Sequence, residues 1–552
     1  MQTPKACHAT LNYEELTTFL EEKAREFPDF VHLESIGKTP QGRNIWAVTL
    51  GARYPLPDDA SADDPTSTRP ALYVDANIHA VELTGSTACL AIIHFLAEAS
   101  KTEEGRKRLE ERTFYIIPRV SPDGAEHYLQ TGAFVRSSPL FYPNQDWPDG
   151  LQAEDIDGDK AVRQMRILDP DGGWRVSARD PRVMVQRRPG DSGPFYHLFS
   201  EGIFHHFDGH VLKEGQSPHG LDFNRNFPGM WRPEKEQHGA GPFPLSQSET
   251  RSVAEFVSRH SNIAAFLALH TGIEVIIPPE GARPFSEFSL EDRALLTQLA
   301  QPGTEILGMK FESLFPVDYG AVYGDFGEWM YEHLGLPGFV VELWAPAARA
   351  GYSLKDDLQA SLGFTSAEPR DCAAAEWVDG QGLTDVLVPF RPFDHPQVGK
   401  VEIGGWLQGF RSCAPDGAIL EDIALKTMRF ALTMGESLPA IRVREAEAIR
   451  VAPNLYKVGL TLHNTGFLPS NLTHKALANG AAKEVEVSLE LPDGEAERIV
   501  GLRKQRLGHL HGYGGMARAE WLVRAEKKTE ITLRIHGRGG GSRVHRLTLG
   551  GE

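Results

Sequence analysis

Ala71-Leu-Tyr-Val-Asp-Ala-Asn-Ile78 runs straight into His79-Ala-Val-Glu82. The first eight residues are a short apolar run bounded by turn formers, which reads as a buried strand. After Gly85 the pattern becomes helical through residue 99. A charged helical stretch over 101–111 leads to Thr113-Phe-Tyr-Ile-Ile117, a second buried strand. Upstream, 12–26 reads as a polar-capped helix. Downstream, Asn262-Ile-Ala-Ala-Phe-Leu-Ala-Leu269 and Gly338-Phe-Val-Val-Glu-Leu343 are further buried strands. Ser246-Gln-Ser-Glu249 has the pattern of a capping box opening a helix to residue 260. An amphipathic helix over 420–434 closes this part. Strands alternating with helices predict an α/β domain, a mainly parallel mixed sheet with helices on both faces.

Two segments break that rhythm. Residues of about 137–218 are rich in Pro, Gly and Asp and show little periodicity, so they read as a long insertion. From about residue 440, segments such as Tyr456-Lys-Val-Gly-Leu-Thr-Leu462 and Ile531-Thr-Leu-Arg-Ile535 alternate apolar and polar residues. That alternation predicts a β-sandwich. The expected division is a catalytic domain over 1–438 and an accessory sandwich over 439–552.

Composition narrows the function classes. The chain has 552 residues, with 57 Lys+Arg against 75 Asp+Glu and a net charge of −18. An acidic balance argues against nucleic acid as a partner. No apolar stretch is long enough to span a bilayer, so no membrane partner is expected. No apolar signal segment follows Met1, and the four cysteines are scattered without a CxxC. Both point to a reducing cytoplasm as the default compartment. Nothing in the sequence bears on oligomeric state.

The chemistry lies at the strand ends. His79 and Glu82, three apart where a strand turns into a helix, can converge on one metal ion. His270 ends the strand 262–269 and Glu342 ends another. In open α/β sheets the ligand crevice lies at the carboxyl ends of the strands. Two His and one Glu with an open position suit a hydrolytic zinc, with a further carboxylate as general base.

This order of residues resembles the zinc metallocarboxypeptidase family, carboxypeptidase A-like, which carries HxxE, a distant third His and a late Glu. Pro118-Arg-Val-Ser-Pro-Asp-Gly124 is similar to that family's Pro-Asp-Gly turn, and Leu221-Asp-Phe-Asn-Arg-Asn-Phe227 to its Asp-x-Asn-Arg-Asn-aromatic motif. Trp329 and Tyr331 precede Glu342 as the family's Trp and Tyr precede its base. The resemblance implies one zinc per chain on His79, Glu82 and His270, with Glu342 as base. It implies Arg136 at the scissile carbonyl, and Asn224 and Arg225 on the substrate's terminal carboxylate. Departures exist: Val81 stands where the best-known members have Arg. The position of the mobile substrate-capping Tyr is Gly320, so Tyr319, or else Tyr323, takes that role. Asp325 and Gly327 lie where the side-chain pocket is read.

The activity so implied is removal of the last residue of a peptide with a free carboxylate. Two alternatives stand beside it: hydrolysis of a non-protein amide, such as a peptidoglycan stem or an acylated amino acid, and a non-catalytic peptide-binding module. Asp155-Ile-Asp-Gly-Asp159 imitates a calcium loop, but Lys160 and Arg166 occupy positions that a calcium loop gives to Gly and Glu, so a solvated loop is expected. His205, His206 and His210 read as polar surface of the insertion.

Overall fold

A computed structural model describes residues 3–54, 68–142, 149–213, 220–314, 321–361, 363–537 and 539–550. Its centre is an eight-stranded sheet. The spatial order is Val31–Lys38, Asn44–Leu50, Thr113–Ile117, Ala71–Ala76, Ile263–His270, Gly338–Leu343, Glu274–Ile277 and Lys310–Phe311. The four strands from Thr113–Ile117 to Gly338–Leu343 run parallel. Antiparallel neighbours flank them on both sides. Thr113–Ile117, Ala71–Ala76 and Ile263–His270 are buried along their whole length. Strands covered on both faces have no polar side to present, which is why they read as unbroken apolar runs.

The helices follow from local chemistry. Tyr13–Glu26 opens on a capping box in which Asn12 accepts from the backbone N–H of Glu15 and the Glu15 carboxylate accepts from that of Asn12. Leu83–Ala99 is buried over most of its circumference, as expected of a helix held between a sheet and another helix. Ala418–Ser437 packs on it and on Leu290–Leu307. At Gly85 a Cβ would stand 3.0 Å from Ala76 Cβ and 3.1 Å from Leu269 Cβ, so glycine lets this helix approach two central strands. One expectation fails here. The helix Ser248–Arg259 is entered from Gln247, and no side chain caps it. Ser246 instead takes hydrogen bonds from the side-chain amides of Asn226 and Gln247.

The insertion is more ordered than its composition suggests. Gln164–Leu168, Trp174–Val176, Met184–Gln186 and Tyr196–Ser200 pair with Leu387–His395 and Gly399–Trp406 in a six-stranded antiparallel sheet. This lobe has its own small core of Met165, Phe199, Phe204, Val401 and Ile403. Glu201, fully buried, fixes its base by accepting from the backbone N–H groups of Ile156, Asp157 and Arg163.

Beyond Ser437, two four-stranded antiparallel sheets face each other. One holds Ile441–Ala452, Leu455–Asn464, Met516–Ala525 and Ala496–Val500. The other holds Lys504–Arg506, Glu486–Glu490, Thr529–Gly537 and Gly541–Leu549. Alternate residues such as Val458, Leu460, Val487, Trp521, Ile531 and Leu533 fill the space between them. Buried Asp292 ties this part to the helical layer, accepting from the backbone of His474 and Lys475 and from the Tyr331 hydroxyl. Among the described residues no single helix is long and apolar enough to cross a membrane.

Candidate active site

Three adjacent parallel strands deliver the site. Ala71–Ala76 ends level with Leu269, and His270 lies directly across from Glu342. Past Ala76 the chain must turn sharply. Asn77 adopts a left-handed φ of 60°, and its side-chain amide donates to the carbonyls of His79 and Ala80, each at 2.9 Å. The helix Leu83–Ala99 then begins, leaving Glu82 at its N-terminal boundary. Arg136 is brought alongside by a backbone hydrogen bond from Ala80 N–H to Arg136 C=O of 2.7 Å. The helix Pro122–Thr131 presses on this junction through Gly124. A Cβ there would stand 2.3 Å from the carbonyl oxygen of Ser137 and 2.7 Å from Ala80 Cβ.

His79, Glu82 and His270 are buried, and one ligand atom from each lies within 4.8 Å of the others. His79 Nδ1 is 2.8 Å from Glu82 Oε1, and His270 Nδ1 is 3.2 Å from Glu82 Oε2. His79 Nε2 is 3.1 Å from Asp222 Oδ1, and Asp222 Oδ2 accepts from Arg136 Nε at 2.9 Å. Arg136 Nη1 also reaches Glu82 Oε1 at 3.5 Å. Glu342 is different. Its Oε2 is buried and has no hydrogen-bond partner among the described residues. A buried polar atom left without a partner costs free energy, which a ligand or substrate in the site can relieve.

The electrostatics divide the carboxylates into two kinds. Burial raises the proton affinity of Glu82, but His79 and His270 outweigh it and hold this carboxyl well below the usual range. Asp222 is likewise held down against burial by Arg136, Arg225 and His79. Glu342 goes the other way: burial, reinforced by the charge of Glu82, lifts it to about 7. One carboxylate therefore stays ionised, as a metal ligand must, while its neighbour is poised to exchange protons near neutral pH. His79, Glu82, Arg136, His270 and Glu342 open onto a cavity of about 510 Å³, also lined by Asn224, Arg225 and Asp325.

The other expected residues fare unequally. Arg225 reaches the cavity with a half-buried side chain, one guanidinium nitrogen donating to Asn224 C=O at 2.8 Å. Asn224 is turned into the wall. Its amide nitrogen donates to Asp325 Oδ2 at 2.6 Å, and its oxygen accepts from Phe326 N–H at 2.9 Å. Tyr319 and Gly320 lie outside the described residues. Tyr323 does not line the cavity; its ring lies under Arg232, 5.3 Å from the guanidinium carbon. Asp325 accepts from Asn224 and caps the helix Phe326–Glu332 through Glu328 N–H. Asp155, Asp157 and Asp159 also converge, yet their carboxylates are taken by the N–H groups of their own loop and by Arg163. His206 pairs with Asp149, and no cluster of metal-binding geometry among the described residues includes His205, His206 or His210.

Asp222 is the residue that sequence reasoning passed over. It stands first in the Asp-x-Asn-Arg-Asn motif, and only the Asn-Arg pair had a role. The available signal was an acidic side chain opening a motif expected beside a metal-bound histidine, where such a residue commonly fixes the ring.

The zinc carboxypeptidase family model matches residues 16–357, and a model of a domain of unknown function, DUF8731, matches residues 440–548. A zinc carboxypeptidase of Saccharothrix mutabilis subsp. capreolus is 33% identical over 124 residues, covering 22% of this chain and 26% of that protein. Carboxypeptidase B of Rattus norvegicus is 22% identical over 275 residues, covering 48% of this chain and 46% of its own. The chain thus spans between about a quarter and a half of these relatives. The crystal structure of carboxypeptidase A from Helicoverpa armigera is 17% identical, with a TM-score of 0.38 over 69% of this chain and 76% of that one. With the family model covering well over half of its length, the chain belongs to the zinc carboxypeptidase family.

Proposed function

We propose that this protein is a zinc-dependent carboxypeptidase that removes single residues from peptides with a free C-terminal carboxylate. The observation that carries the reading is Glu342, proton-poised and with one carboxylate oxygen unpartnered, in the same cavity as a His-Glu-His group and two arginines. The donor set fits zinc: two imidazoles and one carboxylate, with Asp222 orienting His79 from behind. Zinc bound there supplies Lewis acidity that polarises a carbonyl and makes water a nucleophile near neutral pH.

The chain's own groups do the rest. Glu342 accepts the proton of the attacking water and passes it to the departing amine as the C–N bond breaks. Arg136, held by Asp222 but a third exposed, places a permanent positive charge where the carbonyl oxygen becomes negative. Arg225 meets the terminal carboxylate with a forked pair of donors. Asn224 sets the wall behind it rather than acting as the second half of the clamp, because its amide is engaged by Asp325 and Phe326.

That engagement favours a second reading, in which the same machinery cleaves a non-protein amide such as a peptidoglycan stem or an acylated amino acid. With Asn224 turned away, less of the site is committed to an α-carboxylate. Mass spectrometry of matched free-acid and C-terminally amidated peptides, with and without a zinc chelator, separates the two. Chelator-sensitive loss of one residue from free acids alone supports the carboxypeptidase reading. Turnover of peptidoglycan-type amides with none of peptides replaces it with the second.

A further inference from the structure

The cavity at Glu342 has a neighbour. Gly272 lines it and also lines a larger cavity of about 890 Å³ beneath the insertion lobe. Gly272 has a φ of +134°, and a Cβ there would stand 3.8 Å from Glu342 Oε2, so this shared wall beside the base carries no side chain. The walls of the second cavity come largely from segments outside the central sheet. Trp174 and Arg188 are contributed by the insertion, and Trp406 and Arg411 by the stretch that completes the lobe's sheet.

Its charge runs against that of the molecule. Five arginines line it against one glutamate and one aspartate, in a chain of net charge −18. Arg163 and Arg370 are committed, the first to Asp159 and Asp385 C=O, the second to Asp357 and Asp371. The two acids are also satisfied, Glu368 by Ser177 and Arg175 and Asp371 by Arg370. Arg187 lies flat over Phe195, its guanidinium carbon 3.5 Å from the ring centre. Arg188 is exposed, and its guanidinium donates no hydrogen bond to any described residue. Acidic groups in this cavity need no further charge from the site, and Arg188, close enough to Asp191 to act on its charge, keeps its guanidinium donors free of hydrogen bonds to described residues.

An enzyme that cuts near a chain end must place both sides of the bond. The departing residue fits the cavity at Arg225, and the acyl side needs a path away from Glu342. Resting on the carboxypeptidase reading, we propose that the acyl side of the substrate lies in this second cavity, and that Arg188 selects peptides with acidic side chains there. Arg187 adds positive field, Arg411 is committed to Asp357, and Trp174 and Trp406 add apolar wall. The wall shared with the Glu342 cavity at Gly272 favours the substrate's own chain over an unrelated anion.

The test uses N-acetylated pentapeptides that differ only in carrying two glutamates or two lysines on the acyl side, with an N-acyl dipeptide too short to enter the cavity. At low salt the glutamate peptide should have a kcat/KM about fivefold or more above the lysine peptide, the gap closing as salt rises. Arg188→Glu should abolish or invert that ratio, and Arg188→Lys should retain it. Equal ratios in the wild type, or a preference indifferent to Arg188→Glu, would overturn the proposal. Cleavage of the dipeptide alongside equal pentapeptide rates leaves the carboxypeptidase reading standing while this inference fails. If no peptide is cleaved, that reading fails, and anisotropy of the two fluorescein-labelled pentapeptides decides this one. Tighter binding of the acidic peptide, lost in Arg188→Glu, supports it, and equal binding sinks it.

Discussion

Asp222 touches His79, Arg136 and the backbone N–H of Asn224, so one carboxylate sets the orientation of three groups. Replacing it by Asn keeps the shape but weakens its hold on the histidine ring. Partners of this kind commonly account for a 10–100-fold effect on metal affinity. Asp222→Asn should therefore weaken zinc binding by about that factor in a competitive chelator titration; unchanged affinity would mean that His79 is fixed by other contacts. At this scale the sequence was informative for His79, Glu82, His270 and Glu342, because strand ends converge and those residue types are few. It was less so for Asn224. Its amide could meet a substrate or Asp325, and only the fold decides which.

At the scale of the element, two substitutions separate stability from function. Asn12 caps a helix far from the chemistry. Asn12→Ala should cost about 1 kcal/mol in a urea titration and leave turnover unchanged. Gly124 sits where the helix Pro122–Thr131 meets the segment that carries Arg136. An added methyl there meets the Ser137 carbonyl oxygen at 2.3 Å, so backbone must move. Gly124→Ala should cost about 1–3 kcal/mol and also lower kcat/KM, since the displaced segment carries Arg136. Turnover preserved in Gly124→Ala would show that Arg136 is positioned independently of the helix. Central strands and long helices were legible from periodicity. The insertion's strands were not: two are only three residues long, and Gln164–Leu168 has one partner, Gly399–Trp406, more than two hundred residues downstream. Pairing across that distance leaves no local pattern.

The molecule as a whole carries buried carboxyls that resist ionisation. Burial lifts Glu201 and Glu249 to about 7 and Glu328 to about 8. Each folded value lies above the unfolded one, so the folded state binds protons more tightly between them. Their contribution to stability is complete below about pH 4.5 and is lost as pH rises through 7 to 8. Urea midpoints should therefore fall from pH 5.5 to pH 8.5, the fall being smaller in Glu328→Gln. A rise over that range would contradict the assignment. The sandwich packs against the catalytic part through Asp292, and alternation alone made its fold legible.

The central claim is that Glu342 moves the proton at a one-zinc site. The most direct measurement compares wild type and Glu342→Gln for zinc content and for release of the terminal residue from one free-acid peptide. The account predicts one zinc per chain in both proteins and a loss of turnover of about 10²–10⁴-fold in the variant. A variant that turns over within tenfold of wild type, or a wild type that is active with no zinc, would contradict it.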